Sequence, residues 1–166
     1  MLGANKEQKL SSLFMMTALQ TVWDTVLSPL VQRPKALQVA ALCHRGTGDT
    51  QEYLLVTSRE TRRWIIPKGW PIRGLASSEV ALREAWEEAG VRSGRATKDP
   101  VGRYSYHKRS PSGLDVPVET LVYSVEVQDM AEEFPEAHER TLTWVAPDAA
   151  ANMVNEPELK SIFRNL

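Results

Sequence analysis

Three glutamates fall on one side of a segment whose residue spacing predicts a helix that follows an N-cap at Ser77 and runs to about Ala89. At about 100° per residue, Glu84, Glu87 and Glu88 group together on that helix. The apolar positions group on the opposite side, at Leu82, Ala85, Trp86 and Ala89. On an exposed helix such a cluster is a solvated face, because like charges four residues apart cost only about 0.2–0.5 kcal/mol per pair. In a partly closed cleft, carboxylates about 6 Å apart repel by roughly 3 kcal/mol, and a divalent cation would relieve that repulsion.

A site built only from carboxylate oxygens selects a hard cation, so we expect Mg²⁺ at this cluster, with Mn²⁺ as its substitute. An octahedral ion held by few carboxylates keeps water molecules and takes substrate phosphates at its remaining positions. The ion lowers the pKa of a bound water, and a neighbouring glutamate accepts the proton. The pattern therefore favours an enzyme that processes phosphate groups.

The segments around this helix alternate short apolar runs with turns, which predicts an α+β fold built on a mixed sheet. Ser77 is the expected N-cap of the helix, Gly90 the residue that ends it, and a loop over residues 67–76 precedes it. Strands are expected at residues 36–45, 51–58, 64–66, 101–107, 116–127 and 140–145, with a hairpin turn at 110–114. Two short helices follow, opened by Pro147 and Pro157.

The composition describes one ordinary domain. The chain has 166 residues, 25% of them charged, a formal net charge of −1 and a single cysteine. Near-neutral charge argues against bulk affinity for DNA. One cysteine makes neither an internal disulfide nor a multi-cysteine zinc site, so we expect a reducing compartment and a cytoplasmic protein.

Residues 1–35 are expected to form an N-terminal helical extension, and residues 36–166 the main domain. The apolar stretch at residues 10–30 is interrupted by Gln20 and Asp24, so we expect no integral membrane association. This stretch resembles a secretory signal but lacks a small-x-small cleavage site, and we interpret it as a retained helix. Apolar residues cover much of its circumference, so the helix needs cover from the domain, from a second copy in a homodimer, or from a lipid surface.

The segment from Gly69 to Val91, GWPIRGLASSEVALREAWEEAGV, resembles the Nudix box. In that box a glycine and a glutamate precede the run Arg-Glu-apolar-x-Glu-Glu-x-Gly-apolar at fixed separations. The positions that match are Gly69, Arg83, Glu84, Ala85, Glu87, Glu88, Gly90 and Val91. The resemblance implies a Nudix-type α/β/α sandwich around a mixed β-sheet over residues 36–166, and a hydrolase that cleaves a diphosphate linkage.

Leu75 stands where the box usually has its first glutamate. In the family that carboxylate commonly supports the box arginine, so we expect its loss to affect orientation more than metal binding. Glu79 lies four residues before Arg83, the favourable order for an ion pair, and we hypothesise that it replaces the missing group. Arg83 in turn lies four residues before Glu87 and is expected to hold that side chain in place. Arg83 and Glu87 are thus the two predicted catalytic residues.

The resemblance also implies the metal ligands. Glu84 and Glu88 take this role together with the backbone carbonyl of Lys68, and Glu87 becomes the proton acceptor. Family members differ in which box glutamate acts as the base, so this assignment stays open among the three glutamates. Acids outside the box often join the site in this family. The candidates here, which could equally be plain surface charge, are Glu133 and Glu136.

Residues 57–70 and 132–144 resemble the diphosphoinositol polyphosphate phosphohydrolases, which implies a highly phosphorylated small molecule as the substrate. Basic residues are concentrated before the acidic helix and at the predicted hairpin tip, and they favour an anionic ligand. The predicted substrate-binding residues are Lys35, Ser58, Arg59, Arg63, Lys108, Arg109 and Arg140. Arg62 is expected only to solubilise the surface.

Two other functions stay open. Diadenosine polyphosphate hydrolases also carry the Pro-Lys-Gly sequence found here at residues 67–69, so dinucleoside polyphosphates or the 5′ triphosphate end of RNA are alternative substrates. Leu75 also allows a non-catalytic module that binds a phosphorylated ligand without hydrolysing it.

Overall fold

The computed structural model describes residues 35–109 and 115–165. The predicted N-terminal helix at residues 10–30 and the predicted turn at residues 110–114 lie outside these ranges. Within the described part of the chain, no helix is both long enough and apolar enough to cross a membrane.

Strands and helices follow one another in an order close to the predicted one. The strands are β1 (Ala36–Arg45), β2 (Glu52–Thr57), β3 (Trp64–Ile65), β4 (Lys68–Gly69), β5 (Val91–Ala96), β6 (Gly102–Arg109), β7 (Asp115–Met130) and β8 (Leu142–Val145). The α-helices are α1 (Ser77–Ala89), α2 (Pro147–Met153) and α3 (Pro157–Arg164). A short 3-10 turn, Gly48–Thr50, joins β1 to β2.

The strand β1 lies in the interior of the sheet. It pairs in parallel with β7, from Ala36 opposite Val118 to His44 opposite Glu126, and it pairs antiparallel with β2 and β4. The strands β5 and β6 are antiparallel to β7, and β3 and β8 are antiparallel to β2. Parallel and antiparallel pairs therefore coexist, which confirms the predicted mixed sheet.

Each face of the sheet buries its own apolar core. Alternate residues of a strand point to opposite faces, so Val39 and Ala41 pack towards α1, while Ala40 and Leu42 pack towards α2 and α3. The helical residues of the first core are Val80, Ala81, Ala85 and Ala89. Those of the second core include Ala150, Ala151, Leu159 and Phe163. A sheet between two helical layers is the α/β/α sandwich that the resemblance implies.

The structure departs from the predicted elements at several ends. The edge strand β5 has no predicted counterpart, because only its first residue is buried and its side chains show no apolar alternation. The strand β4 falls inside the predicted loop at residues 67–76. The N-cap of α1 is Ala76 rather than Ser77. Gly90 ends α1 as predicted, in the left-handed conformation with φ 72°.

Candidate active site

A cavity of about 490 Å³ is bounded by β3, β4, α1, the end of β6 and the loop at residues 58–63. The acidic side chains that line it are Glu60, Glu84, Glu88 and Glu136. The basic side chains that line it are Arg59, Arg63, Lys68, Lys108 and Arg140. The fold therefore brings part of the acidic helix and much of the basic cluster to one cavity, although these groups are far apart in sequence.

The helix α1 buries a different arc from the predicted one. Its buried residues are Val80, Ala81, Ala85, Glu88 and Ala89. At about 100° per residue, Glu84 and Glu88 therefore lie within the buried arc, whereas Trp86 is only partly buried. The apolar and acidic sets lie on opposite sides of the helix as predicted, but the acidic side is not solvated throughout, because Glu88 is buried and Glu84 is half-buried. The physical reason is that these two carboxylates meet polar partners along β4 and in the cavity, so they are not forced towards bulk water.

The strand β4 brings its backbone against α1. It pairs antiparallel with β1, with Lys68 opposite Ala40. The Lys68 amide donates a hydrogen bond of 3.2 Å to Glu88 Oε2. A β-carbon on Gly69 would overlap the carboxylate of Glu84, so only glycine lets that side chain lie along the strand.

Burial and mutual repulsion raise the pKa of both carboxylates. Burial first, and then the charges of Glu88, Glu87 and Glu136, raise the pKa of Glu84 to about 7. Burial also raises the pKa of Glu88, although the charges of Arg140 and Lys68 oppose the effect. A further positive charge beside Glu84 would therefore stabilise its ionised form.

Arg140 lies between two of the acidic side chains, and its own side chain is only 4% exposed. Its Nε donates to Glu136 Oε2 at 2.7 Å, and its Nη1 donates to the carbonyl oxygen of Thr57 at 2.8 Å. Its Nη2 forms an ion pair with Glu88. The guanidinium that is predicted to bind substrate is thus engaged by protein groups in this structure.

The loop at residues 58–63 is tied to the segment that precedes β8. Arg59 Nη1 lies 3.5 Å from carboxylate oxygens of both Glu136 and Glu139. Arg62, whose φ is 55°, donates to the Glu139 carbonyl at 2.7 Å and to Thr141 Oγ1 at 2.9 Å. The prediction that Arg62 only solubilises the surface is wrong. The contacts join residues almost half the chain apart, and no local pattern indicates them.

Arg63 reaches a buried carboxylate behind the cavity wall. The Arg63 amide donates to Ser58 Oγ at 3.2 Å, and its Nη1 lies 3.4 Å from Glu156 Oε1. Glu156 is the N-cap residue of α3 and is only 7% exposed. The sequence does not indicate this partner, because its only visible signal is a glutamate before Pro157 at a helix start.

The mouth of the cavity carries an exposed aromatic ring. Trp70 is 45% exposed, and Lys108 Nζ lies 5.1 Å from its ring centroid. Deeper in the cavity, the Tyr106 hydroxyl donates to Gln38 Oε1 at 2.7 Å, and Lys68 Nζ lies 5.8 Å from the Tyr106 ring. Trp70 is a further site residue that the matched box positions do not include.

The two predicted catalytic residues form the predicted contact. Arg83 Nε donates to Glu87 Oε1 at 2.7 Å, yet neither side chain is among those that line the cavity. The hypothesis for Glu79 is wrong. Its carboxylate accepts the Ala76 amide at 2.7 Å, so it caps α1 instead of pairing with Arg83.

Two other predicted residues, both described by the structure, do not line the cavity. Lys35 is exposed and is not a lining residue. Glu133 is also exposed and away from the lining, in contrast to Glu136. The side chain of Arg109 lies outside what the structure describes.

Comparison with protein families gives a match to the NUDIX domain over residues 34–166. The chain belongs to the NUDIX family. Nudix hydrolase 16, mitochondrial, from Arabidopsis thaliana is 28% identical over 120 residues, which are 69% of this chain and 64% of that protein. Nudix hydrolase 4 from the same plant is 29% identical over 99 residues, or 60% of this chain and 45% of that protein. This Nudix chain thus spans less than two thirds of either relative.

Solved Nudix structures share the fold. The Caenorhabditis elegans Ap4A hydrolase has a TM-score of 0.59 at 17% identity and covers 78% of this chain and 94% of its own. The E. coli dihydroneopterin triphosphate pyrophosphohydrolase has a TM-score of 0.59 at 15% identity, with coverages of 81% and 95%. The NUDIX domain of Shewanella oneidensis NrtR complexed with ADP ribose has a TM-score of 0.58 at 16% identity, with coverages of 86% and 94%. This likeness confirms the Nudix α/β/α sandwich.

Nudix hydrolases generally use divalent metal ions such as Mg²⁺, and the donors of this Nudix site fit a hard cation by their chemistry. The carboxylate of Glu84 lies against the Gly69 backbone, and neighbouring negative charges help to raise its pKa. Over residues 35–109 and 115–165, no three His, Cys, Asp or Glu side chains are arranged to hold an ion. Two of the acidic side chains, Glu88 and Glu136, are instead bridged by the guanidinium of Arg140.

Proposed function

We propose that this chain is a Mg²⁺-dependent hydrolase, with Mn²⁺ as a substitute, that cleaves a phosphoanhydride bond of a phosphorylated small molecule. One observation carries the proposal. The carboxylates of Glu84 and Glu88 meet the backbone of Lys68 and Gly69 at a cavity whose other walls carry arginine and lysine side chains. Acidic groups for a dication beside basic groups for phosphate oxygens are the combination that phosphoryl transfer requires.

Different side chains of the cavity would bind the metal ion and the substrate phosphates. Glu84, Glu88 and the Lys68 carbonyl would hold the ion, which when bound neutralises phosphate charge and acidifies a water. The Arg63 and Lys68 side chains, which also line the cavity, would bind phosphate oxygens, with the arginine able to form a bidentate contact. Water attacks one phosphorus of the diphosphate, the bridging P–O bond breaks, and the proton of the water passes to a carboxylate.

Two carboxylates are candidates for that proton acceptor. Glu87 is the acceptor that the resemblance implies, and its ion pair with Arg83 would hold it in a fixed orientation. Glu136 lines the cavity, while Glu87 does not. We propose Glu87 as the acceptor and compare it with Glu136 directly. Turnover by the Glu87→Gln variant at near wild-type rate, with turnover lost in Glu136→Gln, would transfer the role to Glu136.

A diphosphoinositol polyphosphate is the substrate that we propose first, because residues 57–70 and 132–144 resemble the hydrolases of that subgroup. Nucleoside polyphosphates are the second candidate, and two observations favour them. Four Glu side chains line the cavity beside five Lys or Arg side chains, and this mixed lining suits a ligand with few phosphates. Trp70, exposed at the cavity mouth, offers a flat apolar surface of the kind on which a nucleobase stacks.

The test is a substrate panel assayed with MgCl₂ and with EDTA. The panel contains a diphosphoinositol polyphosphate, a dinucleoside polyphosphate, ADP-ribose and an RNA with a 5′ triphosphate. We expect metal-dependent release of phosphate or nucleotide from one class, and a loss of about 100-fold or more in kcat/KM for Glu84→Gln and Glu88→Gln. The matched control is Glu133→Gln, which makes the same change at an exposed glutamate off the cavity wall.

The outcomes separate the functions. Unchanged turnover in the Glu88→Gln variant would show that the site is wrong. Binding of a ligand without any turnover would support a non-catalytic Nudix module, the reading that Leu75 leaves open. The second substrate class would be favoured if the wild type hydrolysed a nucleotide but not the inositol compound, and if Trp70→Ala lost the hydrolysis of that nucleotide.

We also propose the arrangement of the whole chain. Residues 1–35 form a helical extension to a domain at residues 36–166, the protein is cytoplasmic, and it binds no DNA. A homodimer is the oligomer that we test. Light scattering on the full chain distinguishes a monomer from a homodimer, and a gel-shift assay tests DNA binding.

A further inference from the structure

The guanidinium of Arg140 occupies the acidic side of the cavity. Its side chain is 4% exposed, less than that of either carboxylate that it bridges. Its Nη2 is ion-paired with Glu88 and lies 2.6 Å from Glu136 Oε2, while its Nε donates to the same Glu136 oxygen. The third nitrogen, Nη1, donates to the Thr57 carbonyl. Every nitrogen of the group is therefore satisfied by an acceptor of the protein.

Both carboxylate oxygens of Glu88 are engaged in this arrangement. Oε1 faces the guanidinium of Arg140, and Oε2 accepts the Lys68 amide at 3.2 Å. Glu84, one helical turn away, forms no ion pair with a Lys or Arg side chain among the residues that the structure describes. The direct contact of Arg140 is thus confined to the Glu88 and Glu136 side of the acidic cluster.

A dication and this guanidinium repel each other and need the same oxygens. A buried carboxylate between two cations gains less from the second cation than from the first, because the cations oppose one another at short range in a poorly screened cavity. Arg140 also lines the cavity, so its guanidinium borders the space where a ligand would lie.

We propose that Arg140 is an internal counter-ion that competes with the divalent metal for Glu88 and Glu136, and that metal entry releases its guanidinium towards the phosphates of the substrate. This inference rests on the proposed function, because it takes Glu88 to be a metal ligand. Arg140 then has two successive partners. It neutralises the buried carboxylates of the metal-free protein, and it binds anionic substrate only when the metal has taken its place.

The test measures Mn²⁺ binding to the full chain without substrate, by the electron paramagnetic resonance signal of the free ion. We expect Arg140→Gln to bind Mn²⁺ about tenfold more tightly than the wild type, because the competing charge is gone. The matched control is Arg45→Gln, which removes an arginine that is ion-paired with Glu52 and does not line the cavity. This control should bind Mn²⁺ as the wild type does.

The Glu88→Gln variant distinguishes failure of the proposed metal site from failure of the proposed competition by Arg140. If it binds Mn²⁺ as tightly as the wild type, or if neither the wild type nor Arg140→Gln binds the ion, then the metal site of the proposed function is wrong. If binding requires Glu88 but Arg140→Gln leaves the affinity unchanged or lower, then the proposed function stands and the competition is overturned.

A measurement on the wild type covers the case in which Arg140→Gln does not fold. The Nε–Hε resonance of Arg140 is followed by ¹H–¹⁵N spectroscopy while Mg²⁺ is added. We expect this resonance to shift with the same saturation as the Glu88-dependent binding. A resonance that does not move while the ion binds would mean that the guanidinium keeps its place, and would overturn the proposal.

Discussion

The backbone of Gly69 lies against the carboxylate of Glu84, so closely that a β-carbon on Gly69 would overlap both carboxylate oxygens. The contact joins the short strand β4 to the middle of α1, and it aligns the glutamate with the backbone of the residue beside it. We expect Gly69→Ala to displace the Glu84 side chain and to weaken Mn²⁺ binding by about tenfold or more. Isothermal titration with Mn²⁺ measures the change.

The stability of this variant tells whether the effect is local. The carboxylate is the far end of a flexible side chain, so its displacement should lower the free energy of unfolding by only about 1 kcal/mol. The control is Gly102→Ala, where the new methyl group would crowd Ile162, a side chain outside the cavity lining. Gly102→Ala should leave Mn²⁺ binding intact. Equal losses of Mn²⁺ affinity in the two variants would contradict the role given to Gly69.

The raised pKa of Glu84 gives the metal-free protein a pH-dependent stability. The pKa is about 7 in the folded chain against 4.5 as the ordinary value, so the folded state binds the proton more tightly. The resulting stabilisation is complete below the ordinary value and is lost as the pH rises through about 7. After allowance for solvent screening we expect a loss of about 1 kcal/mol, or about 3 °C in Tm, between pH 5 and pH 8.

Glu84→Gln removes this titration and keeps the shape of the side chain. In EDTA, thermal melts of the wild type and of this variant should converge at pH 5 and separate by pH 8, with the variant the more stable. Glu133→Gln should follow the wild type at every pH. Parallel Tm profiles for the wild type and Glu84→Gln would show that Glu84 does not titrate in this range.

Some features of the helix α1 can be predicted from the spacing of its residues, and others cannot. Its extent, its glycine stop and the Arg83–Glu87 pair all follow from spacing within a few turns, and the structure contains them. The direction of Glu84 and Glu88 does not follow. Helical periodicity within α1 predicts that charged residues lie away from the core. The hydrogen bond from the Lys68 amide, which belongs to strand β4, cannot be predicted from the periodicity of the helix alone.

Long-range ion pairs mark the limit of sequence reasoning at this site. Arg140 meets Glu88 and the Thr57 carbonyl across large sequence separations, and neither contact leaves a local signature. The edge strand β5 could not be predicted from the sequence for a different reason. Its sequence, VRSGRA, buries only its first residue fully, so it lacks the apolar alternation by which the other strands are recognised.

Arg62 is expected to anchor the loop at residues 58–63. Arg62→Ala removes the hydrogen bonds to the Glu139 carbonyl and to Thr141 Oγ1, and we expect the free energy of unfolding in urea to fall by about 1 kcal/mol. The KM should rise more than kcat falls, because the loop carries Arg59 and Arg63 to the cavity. The control is Arg73→Ala, at an exposed arginine off the cavity wall, which should change stability by less than about 0.5 kcal/mol. Equal changes in the free energy of unfolding and in KM for the two variants would show that Arg62 does not anchor the loop.

Glu156 is expected to hold Arg63 in place for phosphate binding. Its carboxylate is 7% exposed and lies 3.4 Å from the guanidinium, but it does not itself line the cavity. Glu156→Gln keeps the side-chain volume and removes the charge, so KM should rise several-fold while kcat changes little. Glu158→Gln, an exposed glutamate in the first turn of the same helix, is the matched control and should behave as the wild type.

A double-mutant cycle decides whether Glu156 acts through Arg63. If it does, Arg63→Gln alone removes most of what the pair contributes, and adding Glu156→Gln to it raises KM little further. The coupling should be about 1 kcal/mol, within the range of side chains in direct contact. Additive effects on KM would mean that Glu156 acts on another group, of which Lys68 is the nearest candidate because the Glu156 charge raises the pKa of that ammonium against the effect of burial.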